Sequence, residues 1–343
     1  MVVFLLQFNV SAMNLQQRID LFAALGNYLR QSPDSWLEAR RRAGAVNPWF
    51  TESFVQLALD NIIEQYLEPT KLNAWAEAAQ VADQHQPKTV GIVMAGNIPM
   101  VGFHDLLAVF IAGHRQRIKL SSKDEVLMTY LVETLHSMQP ETTDWIRIQD
   151  MLKDCDAYIA TGSDQSARYF EYYFSRFPHI IRPNKTSVAV LTGEESAADL
   201  ERLADDVHLY FGLGCRNVTK VYVPAGYDFI PMLDAFKRYS YLRELHRYTN
   251  NFDYQLSIIL LNKQYYMSND TILLVEAESI HSPIGVLFYE YYSDAAALRE
   301  KLQQTESIQC IVGNGYTSFG KAQQPSLSDY ADGVDTLAFL RTV

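Results

Sequence analysis

The chain has 343 residues, 48% of them apolar and 20% charged, with a formal net charge of −11. That balance supports a sizeable buried core and excludes a disordered or low-complexity protein. The acidic total argues against nucleic acid or an anionic membrane surface as partner. Three scattered cysteines (Cys155, Cys215, Cys310), with no CxxC or His/Cys spacing, predict a reduced, cytoplasmic, metal-free protein.

The opening MVVFLLQFNV is apolar, but it lacks the basic flank of a signal peptide and is too short to span a bilayer. Residues 1–12 read as an upstream start or a disordered tail, and Met13 begins an amphipathic helical stretch. No later segment approaches eighteen consecutive apolar residues, so stable membrane insertion is not expected. IDLFAALGNYL and FTESFVQLALDNIIEQYL carry the three-to-four-residue apolar spacing of helices, the second behind the capping candidate Thr51.

The pattern then changes. TVGIVMAG, QRIKLS, AYIATG and TSVAVLTG read as short strands, separated by the helical stretches PMVGFHDLLAVFIAG, DEVLMTYLVETLHSM and SDQSARYFEYYFSRF. This alternation predicts βαβ units on a parallel sheet. Further on, NVTKVYVP, YQLSIILLN, TILLVEA and SIQCIVGNG read as strands, and FIPMLDAFKRYSYLRELHRYT as a helix. The expected organisation is a helical region (1–84) packed on a nucleotide-binding domain (85–192), then a second α/β domain (193–343) holding Cys215.

Parallel sheets bind ligands at the carboxyl ends of their strands. Asn97, Lys119 and Thr161-Gly162-Ser163 all fall at predicted strand ends. Gly162 and Ser163 at a helix start suit a pyrophosphate, although Ser163 as a simple N-cap accounts equally for the spacing. No GxGxxG is present. Lys119 can meet ribose or phosphate oxygens or be a solvated edge residue. Asn97 can donate to an oxyanion or form a turn. His114, Arg115, Arg117 and Lys119 form a basic cluster able to meet an anion. Cys215, beside Gly212 and Gly214, reads either as a buried small hydrophobe or as a nucleophile whose thiol Arg216 would acidify.

The order of these segments resembles the aldehyde dehydrogenase superfamily, and within it the LuxC-type acyl-CoA reductases. The match is carried by GNIPMVGFHDLLAVFIAGH, IKLSSKDE, ATGSDQSARYF, HIIRPNKTSVAVLTGEE, YFGLGCRNVTKVYVP and DYADGVDTLAFL. The resemblance implies an α/β fold with a Rossmann-like parallel-sheet cofactor domain, a second α/β catalytic domain, and a homo-oligomer. It implies Cys215 as acyl-accepting nucleophile, Asn97 as oxyanion donor, and Lys119, Ser121, Thr161, Gly162 and Ser163 as contacts to NADPH, with NADH the alternative. Where the superfamily carries a ribose-binding glutamate, this chain aligns Ser279 with Glu278 beside it. His179 or His104 would protonate a leaving thiolate or be structural. Acid-forming relatives carry a water-activating glutamate where this chain has Ile181, which cannot act as a base.

The implied reaction is reduction of an acyl-CoA, coenzyme A being part of the substrate, to an aldehyde through a thioacyl-cysteine. Arg182 and Lys185 would add to the positive charge around the cofactor. Delivery of the acyl group by an acyl-activating partner enzyme stays open. The rival expectations are an aldehyde-oxidising dehydrogenase and a catalytically silent nucleotide- or acyl-binding protein.

Overall fold

The computed structural model describes residues 13–83 and 86–343, so the expectation for residues 1–12 lies outside the described residues. Four helices come first: α1 (Leu15–Arg30), α2 (Asp34–Val46), α3 (Glu52–Tyr66) and α4 (Pro69–Ala78). Asn14 and Gln17 form a reciprocal capping box at the start of α1, and Thr51 caps α3 through the Phe54 N–H. Their apolar faces bury Phe22, Leu25, Trp36, Val55 and Leu59.

A five-stranded sheet follows. It comprises β1 (Thr89–Val93), β2 (Arg115–Lys119), β3 (Ile146–Ile148), β4 (Ala157–Thr161) and β5 (His179–Arg182), in the order β3-β2-β1-β4-β5. Every pairing is parallel. The crossovers carry α5 (Phe103–Ile111), α6 (Glu125–Met138), the single turn α7 (Thr142–Trp145) and α8 (Asp164–Phe174). From β1 the chain moves outward to β2 and β3, then returns to place β4 on the other side of β1. The crevice at such a reversal, outside the carboxyl ends of β1 and β4, is where open parallel sheets take ligands.

The second sheet has the order β11-β6-β7-β10-β9-β8. Its strands are β6 (Thr186–Val190), β7 (Val218–Pro224), β8 (Met267–Ser268), β9 (Leu273–Glu276), β10 (Val286–Tyr292) and β11 (Ile308–Gly313). Only β8 runs antiparallel. The helices with it are α9 (Ala197–His208), α10 (Ile230–Phe236), α11 (His246–Leu261) and α12 (Ala295–Gln303). The terminal helix α13 (Thr336–Leu340) crosses back to pack on α5.

Three sequence expectations are corrected. TSVAVLTG, placed at the end of the nucleotide-binding unit, forms β6 and pairs with β7 and β11, so the chain passes between sheets at Pro183–Lys185. YQLSIILLN is not a strand but the second half of α11. Tyr248, Phe252 and Ile259 form the buried stripe of that helix, which a window of only nine aliphatic-rich residues conceals. The predicted helix over 229–249 breaks into α10 and 3₁₀ turns at Lys237–Glu244 before α11 begins. Strands β3 and β5, three and four residues long, were not anticipated.

Candidate active site

Cys215 stands at the amino end of β7, on a loop held by an unusual turn. Tyr210, Phe211 and Gly212 all adopt left-handed backbone conformations, with φ of 53°, 60° and 75°. For two bulky residues this is strained and persists only where the surroundings enforce it. Aromatic packing supplies that enforcement. Phe211 meets Trp49 and Phe54 with ring centroids 4.9 Å apart in each case, and Tyr210 meets Phe54 at 5.4 Å.

Asn217 completes the restraint, and sequence reading missed it. Its Oδ1 accepts from the Gly214 N–H at 2.8 Å, while its Nδ2 donates to the carbonyls of Asp206 (3.1 Å) and Leu209 (2.8 Å). A Cβ on Gly214 would lie 3.0 Å from Asn217 Oδ1 and 3.5 Å from Ile98. The two glycines therefore answer to backbone geometry at Gly212 and close packing at Gly214.

Cys215 lines a cavity of about 180 Å³ at the junction of the two sheets. Its walls include Ile62 and Tyr66 from α3, Met94 and Ala95 after β1, Thr161 at the end of β4, and Asp332 from the C-terminal segment. The aliphatic part is continued by Ala58, Ile98 and Val101. Burial pushes the Cys215 thiol up to about 11; the positive charge of Arg216 pulls the other way and loses, and the Asp332 carboxylate adds to the rise. The expected acidification by Arg216 is thus reversed, because desolvation of a thiolate outweighs one nearby cation here. The Arg216 Nε is itself turned onto the Ala322 carbonyl.

Asn97 reaches the cysteine loop differently from the expectation. Its Nδ2 donates to the Leu213 carbonyl at 2.5 Å, and the residue is not among those lining the cavity. His179 falls outside the site altogether. It pairs with Tyr158 at the amino end of β5, three residues (roughly 10 Å at strand spacing) before Arg182, which does line the cavity. Its ring bonds the Phe177 carbonyl and approaches Glu171.

His104 does line the cavity. Because the Leu327 carbonyl can only accept, the 3.0 Å contact assigns the proton to Nε2. Burial lowers the imidazole's pKa and favours the neutral ring. The expectation that Arg182 adds to the positive charge around the cofactor is also corrected. Its Nη1 pairs with both carboxylate oxygens of Asp105 and its Nη2 donates to Thr336 Oγ1, in the interior. Lys185 Nζ lies 3.9 Å from Asp332.

The residues expected to hold a dinucleotide share one edge of the first sheet. Lys119 and Ser121 end and follow β2, Gly96 follows β1, and Thr161, Gly162 and Ser163 end and follow β4, so three adjacent strands contribute. A Cβ on Gly96 would lie 2.7 Å from the Ser121 side chain, and one on Gly162 would lie 2.9 Å from Ser166 Cβ. These glycines permit close approach of loop to loop and of helix to strand. Ser163 is the N-cap of α8, accepting from the Ser166 N–H. Lys119 is exposed and forms no ion pair among the described residues.

These features fit a dinucleotide in the crevice. The wider basic cluster is dispersed, since His114 is buried against the Leu340 carbonyl and Arg115 starts β2 at the opposite end from Lys119. Glu278 lies away from this crevice, in the second sheet's part of the fold. Its exposed side chain follows β9, and its carbonyl accepts from Lys220.

A two-sheet α/β architecture with a cysteine between the sheets, beside a dinucleotide-type crevice, is an aldehyde-dehydrogenase-like fold. Solved structures agree on the fold. Aldehyde dehydrogenase 21 of Physcomitrella patens, in complex with succinate, is 12% identical with a TM-score of 0.65, over 88% of this chain and 74% of that one. The NAD-dependent aldehyde dehydrogenase of Sinorhizobium meliloti is 10% identical with a TM-score of 0.65, over 91% and 72%. The Mycobacterium tuberculosis aldehyde dehydrogenase complexed with NAD⁺ is 13% identical with a TM-score of 0.62, over 86% and 72%.

The model of the acyl-CoA reductase (LuxC) family matches residues 39–230, more than half of the chain, and the chain belongs to that family. A curated relative, the long-chain acyl-protein thioester reductase of Aliivibrio fischeri, is 22% identical over 213 residues. The alignment covers 56% of this chain and 44% of that relative, so the chain spans less than half of the relative's length. No helix among the described residues is long and apolar enough to cross a membrane.

Proposed function

We propose that this protein reduces an acyl thioester, an acyl-CoA in the first instance, to the aldehyde at the expense of NADPH or NADH, with the acyl group carried on Cys215. One observation carries the reading: Cys215 opens into the same cavity as Met94, Ala95 and Thr161, the residues that end or follow β1 and β4 at the crevice. Nucleophile and cofactor edge therefore address one space. Lys119, Ser121 and Gly162 would hold the dinucleotide. When bound, the nicotinamide supplies the hydride that takes the thioacyl carbon to the aldehyde level.

The protein's own groups handle the remaining chemistry. At neutral pH Cys215 is a thiol, so acyl transfer requires a proton acceptor. Asp332 lines the cavity and its charge acts on the thiol. It carries the proton from Cys215 to the departing thiolate as the new C–S bond forms and the old one breaks. The Cys215 N–H lies against the residue's own sulfur, where it would also meet an oxyanion formed on the attacked carbon. After reduction the Cys215–carbon bond breaks, and the thiolate regains a proton that ultimately comes from solvent. The aliphatic wall formed by Ala58, Ile62, Met94, Ile98 and Val101 suits a hydrocarbon chain. The relative named for acyl-protein thioesters uses the same bond type, so an acylated protein is a second donor to examine.

The test is nicotinamide oxidation with a series of acyl-CoAs, alongside acyl-protein donors, for wild type and Cys215→Ala. Aldehyde and free CoA formed in step with oxidation, and lost in the variant, is the expected result. Acid from aldehyde and NAD(P)⁺ without CoA would favour the dehydrogenase. Inactivity of the wild type with every thioester and both nicotinamides would overturn the reductase reading.

A further inference from the structure

We propose that the hydroxyl of Tyr66 is a catalytic hydrogen-bond donor to the acyl oxygen on Cys215, sharing that oxygen with the Cys215 N–H. The inference rests on the acyl-transfer reading above and assigns the side-chain donor that sequence comparison placed at Asn97. Asn97 is a poor candidate in this chain, because its Nδ2 is turned onto the Leu213 carbonyl and the residue lies outside the cavity lining. Its visible role is to hold the loop that presents the cysteine.

Tyr66 closes α3 and lines the cavity together with Cys215. Its ring is fixed by an edge-on contact with His104, centroids 5.3 Å apart at 70°. Its hydroxyl has no hydrogen-bond partner among the described residues. The neighbouring phenol of Tyr330, by contrast, accepts from Trp75 Nε1 at 2.8 Å. The hydroxyl is therefore free to donate into the cavity that Tyr66 shares with Cys215. A free hydroxyl on a wall shared with the nucleophile is suited to meet a ligand atom.

Charge is consistent with the same role. Burial, chiefly, raises the phenol's pKa, with Arg216 opposing and the negative charges of Asp329 and Asp105 reinforcing the rise. The group therefore stays protonated, and able to donate, throughout the neutral range. In both tetrahedral species, the one from thioester attack and the one from reduction, the oxygen carries the developing charge. A donor aimed there accelerates both steps.

The experiment compares wild type with Tyr66→Phe in two assays: CoA release on mixing with acyl-CoA without nicotinamide, and steady-state NADPH oxidation. The phenylalanine keeps the ring contact with His104. The expected result is a fall of about 10²-fold in both rates, with KM changed much less and thermal stability unchanged. Wild-type rates in Tyr66→Phe, or a rate loss matched by a marked drop in melting temperature, would overturn the assignment while leaving the reductase reading intact. Absence of both CoA release and NADPH oxidation in the wild type would overturn that reading, and this assignment with it.

Discussion

Arg182 Nη1 lies 2.8 and 2.7 Å from the two carboxylate oxygens of Asp105, a buried ion pair joining the end of β5 to α5 beside the cavity. Arg182 Nη2 extends it to Thr336 of α13. This three-part contact ties the C-terminal segment to the first sheet, and that segment also delivers Asp329 and Asp332 to the cavity wall.

Removing one partner of such a pair leaves an uncompensated charge in the interior. Asp105→Asn is expected to cost about 3–5 kcal/mol in stability. Urea unfolding, read at the midpoint with the slope unchanged, checks it. A cost below about 1 kcal/mol would mean that solvent already reaches the pair.

The elevated Cys215 thiol predicts a particular pH profile for alkylation. With an apparent pKa of about 11, the rate with iodoacetamide should rise roughly tenfold per pH unit from 7 to 9, since the thiolate fraction does. No plateau is expected below about pH 10. Asp332→Asn removes a charge that helps to raise that pKa, so its alkylation curve should move to lower pH. Acyl transfer at neutral pH should nevertheless slow, because the proton carrier is gone. Parallel changes in the two assays would rule out the carrier role.

Gly96→Ala would bring a methyl group within 2.7 Å of the Ser121 side chain. Separation of the two loops should weaken nicotinamide dinucleotide binding by about tenfold or more, by analogy with the cost of misplacing a bound group. Lys119→Ala should weaken it by several-fold. Fluorescence titration with NADPH measures both. Cys215 alkylation at fixed pH should be unaffected by Lys119→Ala, which separates the crevice from the thiol.

Asp206 makes stability depend on pH in a defined direction. Burial pushes its carboxyl up to about 7, against hydrogen bonds from the Gly320 and Ala322 N–H groups and the charge of Arg216. A folded-state pKa above the unfolded value favours the protonated fold. Its stabilising contribution is complete below about pH 3.8 and is lost as pH rises towards 7. The difference corresponds to at most about 4 kcal/mol. Melting temperatures from pH 4 to 8 should show this decline in the wild type and a flatter profile in Asp206→Asn. Identical profiles would mean that Asp206 stays ionised throughout, held by its two N–H donors.

What the sequence determined by itself is the part carried by local pattern and chain order. Alternating short apolar runs and helical periods specified the parallel sheet. The small residues at Gly96 and Gly162 marked two strand ends, and Gly-Leu-Gly-Cys215 marked the thiol. Family membership was legible for the same reason, as an ordered series of segments. The tertiary structure decided what depends on neighbours distant in sequence. It put β6 in the second sheet, because edge pairing with β11 is set by a residue stretch more than a hundred positions away. It turned Asn97 onto Leu213 and buried Arg182 against Asp105, because a side chain's partner follows from packing and not from residue type. It raised the Cys215 thiol, because desolvation is a property of the surrounding volume. And it set Tyr66, a helix residue with no motif of its own, on the wall that faces the nucleophile.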